Sequence, residues 1–452
     1  MVHISGDFPT NIWAKVWEWW SALANYEQRP APPGEMKLGR IGELLGLLGN
    51  PHLCSKVIHI TGTKGKGSTA AMVESVLRRT GKQTALFTSP HLSDVTERFQ
   101  ISGVPVTQLA LASAVENVRL ALESQPLLFE KHGPPTFFEV ATAAAFILFA
   151  EAQAEWVVLE VGLGGRLDST NICVPSACAI TTIGLDHTKI LGETIDLIAR
   201  EKAGIIKAGV PVISGVADPI AAKIVRETAR ECGSLIWELG KDFDVFGNDT
   251  PWWEDNAPPQ LATVQTPRGI HEKLQCPLVG AHQRSNLACA VAVLEILRPQ
   301  IGWTESQMVE GLAATIWPGR IEIVERHPMV ILDGAHNPDS AQSLARALAP
   351  LAFGKKIALV VGCSADKDLG SILGPLAPLA DCLFLTRYTM GTRAASTDQL
   401  RKSLPRAIRA KIIEEPDPRK AKQRACEWVG VEGVVVVTGS LFLVGELRDK
   451  RV

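Results

Sequence analysis

The sequence predicts an α/β chain of two units, each a mainly parallel sheet covered by helices. Three observations point there. The 452 residues are about three times a typical domain length, which favours more than one core. Short apolar runs alternate with helical segments from 57 to 213. A second alternation of the same kind begins near 328. Buried parallel strands read as continuous apolar runs, and βαβ connections place helices on both faces.

Taken in order, the first 50 residues are rich in Trp (Trp13, Trp17, Trp19, Trp20) and then in Pro (Pro30, Pro32, Pro33). This pattern predicts a short amphipathic helix followed by a loop. The run 57–60 reads as a strand entering a glycine-rich loop, and 68–79 as a helix with apolar residues at 72, 73, 76 and 77. Strands are expected at 84–87, 156–161, 177–183 and 210–213. Residues 235–279, with Trp237, Trp252, Trp253 and several Pro and Gly, break the rhythm and predict an irregular or antiparallel excursion. Ile316-Trp317-Pro318-Gly319-Arg320 carries a turn signal and reads as a hinge. Beyond it, 329–332, 357–361, 382–385, 411–413 and 434–437 are the strands of the second unit.

Composition narrows the function classes. Hydrophobic residues make up 46% and charged residues 21%, so neither disorder nor a fibrous repeat fits. A net charge of -2 gives no field that would attract a polyanion, and nucleic acid is not an expected partner. Nine Cys without a C-x-x-C pair argue against a disulfide framework and a zinc site, and fit a reducing cytoplasm. No apolar run approaches bilayer length, and residues 1–7 lack the basic start of a secretory leader, so no membrane association is expected.

Thr61-Gly62-Thr63-Lys64-Gly65-Lys66-Gly67-Ser68 lies between a strand and a helix, where backbone N–H groups and the helix dipole bind phosphate. Lys66 can reach terminal phosphates and Ser68 opens the helix, although the spacing is not that of a standard P-loop. Glu160 ends a strand, the edge at which open α/β sheets bind ligands, and could hold Mg²⁺. The loop after it, with Gly162, Gly164, Gly165, Arg166, Asp168 and Asn171, suits a shape moulded around a ligand. Asp186-His187 repeats the arrangement one strand later, with His187 either a metal ligand or an ordinary hydrogen-bonding residue. By pattern alone Lys202 would be a surface cation on a helix.

Together with Thr88-Ser89-Pro90-His91-Leu92, Gly280 to Asn286, Pro318-Gly319-Arg320, Asp333-Gly334-Ala335-His336-Asn337-Pro338 and Thr438-Gly439-Ser440, these segments resemble the folylpolyglutamate synthases and bifunctional dihydrofolate synthases of the Mur ligase superfamily. The resemblance runs from about residue 20 to the C-terminus. It implies a Mur-ligase-like P-loop ATPase domain over 1–316, a hinge linker over 317–326 and a smaller Rossmann-like glutamate ligase domain over 327–452. The implied reaction joins L-glutamate to a folate or dihydropteroate carboxylate through an acyl phosphate, releasing ADP and phosphate.

The resemblance also implies site roles. ATP would lie on Gly62, Thr63, Lys64, Gly65, Lys66, Gly67 and Ser68, with Asn286 at adenine, Arg320 at the phosphates and Asp333 at ribose. Ser89 and Glu160 would bind one Mg²⁺, and His187 with a carbamate on Lys202 would serve a second. Lys66, Lys202, His187 and His336 would be the catalytic residues. Asn25, Tyr26, Thr136, Phe137, Phe138, Glu139, Arg166 and Asp168 would face the pterin substrate, where Phe can stack and Glu can accept from ring N–H groups. A monomer is expected.

Two residues depart from the family pattern. Lys64 stands where Asn is usual, either as a second phosphate cation or as a solvent-facing side chain, and Phe99 replaces an aliphatic residue. Competing readings are a cell-wall ligase of the same superfamily, for which the first 50 residues are too short to form a UDP-sugar domain, and a non-catalytic nucleotide-binding regulator. The regulator would be expected to lose metal or linker residues, all of which are present.

Overall fold

The computed structural model describes residues 12–27, 32, 34–125, 133–248, 250–255, 257–390 and 393–448; Pro30, Pro33 and residues 1–7 lie outside them. The strands are β1 (Lys56–Thr61), β2 (Thr84–Phe87), β3 (Phe99–Ile101), β4 (Val104–Pro105), β5 (Trp156–Glu160), β6 (Ala177–Ile180), β7 (Val212–Ser214) and β8 (Ile236–Glu238), followed by β9 (Asp244–Gly247), β10 (Leu261–Thr266) and β11 (Gly269–Gln275). The second unit holds β12 (Glu322–Arg326), β13 (Met329–Leu332), β14 (Ile357–Val361), β15 (Cys382–Leu385), β16 (Lys411–Glu414) and β17 (Val434–Thr438).

The first sheet runs β4-β3-β2-β5-β1-β6-β7-β8, parallel from β2 to β8, with β3 and β4 added antiparallel at one edge. Beyond Lys56 every residue of β1 is buried, the signature of a central strand covered on both faces. Helices Lys66–Arg79 and Ala281–Ile296 cover one face, while Ile12–Ser21, Gln108–Glu123 and Phe137–Glu151 cover the other. Helix Ala281–Ile296 is buried from Asn286 to Ile296 because the antiparallel sheet β11-β10-β9 closes over it. The second sheet has the order β12-β13-β17-β14-β15-β16, with an apolar core on each face.

The differences from sequence expectation have physical causes. The strands expected to reach 161 and 183 end at Glu160 and Ile180, because the chain leaves the sheet there to build loops. Helix Leu38–Leu47 forms where a loop was expected, despite Gly39, Gly42 and Gly46. Propensity disfavours it, but Ile41, Leu44 and Leu45 are buried and Arg40 is anchored by two carboxylates. Residues 322–326, expected in the linker, form β12 paired antiparallel with β13, so the connection is 314–321. All nine cysteines are free, and among the described residues no helix is long and apolar enough to cross a membrane.

The excursion is clamped by a charge cluster in which His271 and Glu295 are buried while Glu305 and Arg298 are exposed. His271 on β11 lies 3.2 Å from Glu295 and 3.1 Å from Glu305, and Arg298 lies 3.4 Å from Glu295. Burial opposes the imidazolium, but the two carboxylates outweigh it and raise the His271 pKa above its ordinary value. A raised histidine stabilises fully below its unfolded pKa of about 6.5 and loses that contribution as pH climbs through the folded value. Between about pH 6 and 9 the thermal transition of the wild type should therefore fall more steeply than that of His271→Gln, as differential scanning fluorimetry would record.

Candidate active site

The C-terminal ends of β1, β5 and β6 lie side by side, and their loops meet around a small pocket lined by Gly62, Lys66, Gly162, Asp186, His187 and Lys202, among others. The phosphate loop is stitched to the loop after β6. Thr63 N donates to Thr182 O and Lys64 N to Thr182 Oγ1, both at 2.8 Å, and Gly184 N donates to Thr63 Oγ1 at 3.0 Å. Gly67 has no side chain because the Trp317 ring of the linker occupies that space. The amides of the loop and of helix Lys66–Arg79 make an anion cradle.

Two ammonium groups converge there. Lys66 Nζ and Lys202 Nζ each donate to Gly62 O at 3.1 Å. Lys202 is buried rather than on the surface, and burial, then the charge of Lys66, lowers its pKa to about 7 against the pull of Asp186. Glu160 is buried with Lys66 Nζ at 4.0 Å and Ser89 N at 3.3 Å. Burial raises its pKa to about 6, and Lys66 only partly opposes this. His187 caps the helix Thr188–Leu191 at φ 51°. Partial desolvation and the neighbouring Lys367, Lys66 and Lys64 outweigh Asp186 and lower its pKa to about 4, although the ring is half exposed, so its imidazole is neutral at pH 7. Lys64 is neither a free phosphate cation nor solvent-facing: it is half-buried and ion-paired with Asp186 at 2.8 Å.

The second unit and the linker complete the wall. His336 is half-buried, with Nδ1 2.8 Å from Gly334 O, and desolvation followed by the charge of Lys64 lowers its pKa to about 3. Asp333 Oδ2 accepts from Ile321 N at 3.0 Å and Oδ1 from Ala335 N at 2.9 Å, tying the linker to the turn. Burial raises the Asp333 pKa against the charge of Arg320, which also reaches Glu160. Asn286 abuts Gly65, with Nδ2 donating to Gln283 Oε1 at 2.8 Å.

Residues 60–294 match the Mur ligase middle domain, and 319–441 match the Mur ligase glutamate ligase domain. The chain belongs to the folylpolyglutamate synthase branch of the Mur ligases. It is 35% identical to the folylpolyglutamate synthase of Lacticaseibacillus casei, covering 91% of this chain and 93% of that one, and 32% identical to the dihydrofolate synthase/folylpolyglutamate synthase of Bacillus subtilis over 91% and 94%. Among solved structures, Mycobacterium tuberculosis folylpolyglutamate synthase complexed with ADP superposes with a TM-score of 0.86 at 28% identity, covering 96% of this chain and 97% of that one. E. coli FolC in complex with DHPP and ADP gives 0.82 at 30% identity, covering 96% of each chain.

Several residues that this Mur ligase branch suggests for the pterin side are engaged within the protein. The Glu139 carboxylate receives Arg40 Nε at 2.9 and 2.8 Å and Thr136 N at 2.8 Å, so the ring N–H groups expected on it are replaced by a guanidinium and a helix cap. Phe137 is buried, stacked on Trp20 at 4.6 Å with the Arg98 guanidinium 5.6 Å from its ring, which leaves no open face for stacking. Phe138 lies against Gly162, beside the pocket. Asp168 is buried and accepts from Leu163 N, Thr170 N and Thr170 Oγ1, while His59 Nε2 lies 2.8 Å from Thr170 Oγ1; the relay holds the 162–171 loop. Arg166 is paired with Glu201 at 2.7 Å outside the pocket lining. Asn25 Oδ1 accepts from Glu27 N at 3.0 Å, and Tyr26 lies in the same strap.

Sequence reasoning missed Arg40, which holds Glu139, and placed Asp186 in the strand-end pattern without finding its partner Lys64.

Lys66→Ala should leave the melting temperature nearly unchanged, since Glu160 with a pKa of about 6 can take up a proton when its neighbour is lost. Turnover should fall by about 10²- to 10³-fold, the scale of one lost electrostatic stabiliser. Arg40→Met should cost about 3–5 kcal/mol in urea unfolding because it strands the buried Glu139 charge, and adding Glu139→Gln should recover part of that loss.

Proposed function

We propose that this chain is an ATP-dependent ligase that joins the amino group of L-glutamate to a carboxylate of a folate, and also to that of dihydropteroate. The reading rests on one observation above others: Lys66 and Lys202 converge on Gly62 O beside the buried Glu160, at the mouth of an anion-binding loop. A carboxylate is a poor electrophile at neutral pH. Transfer of the ATP γ-phosphoryl group to it, with ADP leaving, gives an acyl phosphate. The glutamate amine then attacks the acyl carbon, the C–O bond to phosphate breaks, and the amine gives up a proton. Lys66 and the loop amides hold the phosphate charge through both steps. Lys367, close enough to lower the pKa of both His187 and His336, adds a cation from the second unit.

The donor chemistry fits divalent cations. Glu160 is a buried carboxylate with incomplete charge compensation, and Ser89 offers a hydroxyl in the segment whose amide already touches it. These two would hold one Mg²⁺, a hard ion that takes few protein oxygens and keeps phosphates as ligands. When bound, Mg²⁺ would neutralise charge on the phosphate oxygens. Neutral His187 and a carboxylated Lys202 would hold a second. Carboxylation needs an uncharged amine, which adds to CO₂ and releases a proton, and a Lys202 pKa of about 7 supplies that amine near neutrality. The connection 314–321 acts as a hinge that brings the two units together around ATP.

The deciding experiment incubates the protein with ATP, Mg²⁺, L-glutamate and either dihydropteroate, tetrahydrofolate or a methylene-bearing folate, and identifies products by mass. Glutamyl products are expected from a folate and from dihydropteroate. ADP formation that needs neither acid nor glutamate would overturn the ligase reading in favour of a nucleotide-dependent regulator. Lys202→Ala should be nearly inactive, and thorough CO₂ removal should lower wild-type turnover; an intact mass showing a free amine in the active enzyme would exclude the carbamate.

A further inference from the structure

We infer that Asp186 is a positioning residue for amide formation, joining the phosphate loop to the Asn337 turn of the second unit. Its Oδ2 accepts from Lys64 Nζ at 2.8 Å and from Asn337 Nδ2 at 3.0 Å, while Oδ1 accepts from His187 N at 2.9 Å. A single carboxylate oxygen therefore holds donors from both units.

Each partner is fixed in turn. Lys64 N is bound by Thr182 Oγ1, and Lys64 O accepts from Thr181 Oγ1 at 2.5 Å and Thr182 Oγ1 at 3.1 Å. Asn337 caps helix Pro338–Leu348, with Oδ1 accepting from Ser340 N at 3.0 Å. Asp339 lies close to Gly184, a second approach of the Asn337 turn to the loop after β6. Of the bonds to Asp186, that from Asn337 Nδ2 is charge-assisted, half-buried and joins the two units, while the Lys64 ammonium holds the carboxylate in place from within the first unit, so loss of either is felt as relative motion rather than as local unfolding.

The consequence rests on the ligase reading. An acyl phosphate formed at the first unit must meet an amine before it meets water, and a bridge at the pocket lining holds the second unit over it. Loss of the bridge leaves phosphoryl transfer possible and diverts the intermediate to hydrolysis.

Asn337→Asp separates bridge from cap, because Asp caps a helix as Asn does but sets like charge against Asp186. The phosphate released per glutamate incorporated should rise about fivefold, the equivalent of ~1 kcal/mol of coupling. The double variant D186N/N337D reverses donor and acceptor and should return the ratio towards wild type, a rescue that loss of a purely structural residue would not give. Independently, Lys64→Met should speed amide hydrogen exchange at 333–341, in the other unit, without any ligand. An unchanged ratio in N337D, a double variant no better than N337D, or unchanged exchange at 333–341 in Lys64→Met would overturn the bridge. Failure of the ligase reading looks different: wild type incorporates no glutamate into any acid, and the exchange experiment then decides the bridge alone.

Discussion

The site depends on the parallel pairing of β1 with β5 on one side and β6 on the other. The register sets Ile60 opposite Glu160 and Thr61 opposite Ile180, so three strands end along one edge and their loops leave together. Side chains alternate between faces, and a slip of one residue in β5 would send Glu160 to the opposite face of the sheet from Lys66. The buried apolar residues on both faces of β1 and β5 fix that register, so the packing of Ile58, Val158 and their neighbours is what brings a carboxylate to a phosphate loop.

Around that edge the charges do not balance in the way a structural ion pair would. Lys66 and Lys202 share one carbonyl, Lys64 is held off by Asp186, and Glu160 is 4.0 Å from its nearest ammonium. The protein answers the mutual repulsion and burial by shifting protons: Lys202 falls to about 7 and Glu160 rises to about 6. Both shifts run towards the neutral form, as desolvation requires where pairing is incomplete. Such an arrangement stores capacity for incoming charge: a hard cation would restore the ionised form of Glu160, while the uncharged amine of Lys202 is the form that carboxylation needs.

Strand cores were legible because continuous burial makes them continuously apolar: 84–87, 329–332, 357–361 and 382–385 coincide with β2, β13, β14 and β15. The phosphate loop and the strand-end acid were legible because glycines, a lysine and a carboxylate mark the points where those strands stop. Helix Leu38–Leu47 was hidden by its glycines, since its stability lies in contacts with the rest of the fold and not in local propensity. The roles of Arg40 and Asp186 were hidden by distance along the chain. Arg40 finds Glu139 across 99 positions and Asp186 finds Asn337 across 151, and no periodicity or spacing encodes such pairings. Glu139 shows the cost of reading a residue type alone: a buried carboxylate with a capping role and a guanidinium partner looks, in sequence, like an available acceptor.

The linker is not the only tie between the two units. Leu92, in the loop that begins at Ser89, is counted by packing among the core residues of the second unit, and the absence of a side chain on Gly445 lets the Leu92 carbonyl close onto helix Leu441–Leu447. Ser93 Oγ donates to Gly445 O at 2.9 Å. The same loop is stiffened by Glu97, whose carboxylate accepts from the amides of Leu92, Ser93 and Asp94. At its other end Ser89 N donates to Glu160. Residues 89–97 therefore form a short, internally braced segment that touches the second unit through Leu92 and Ser93 and the buried acid of the first unit through Ser89.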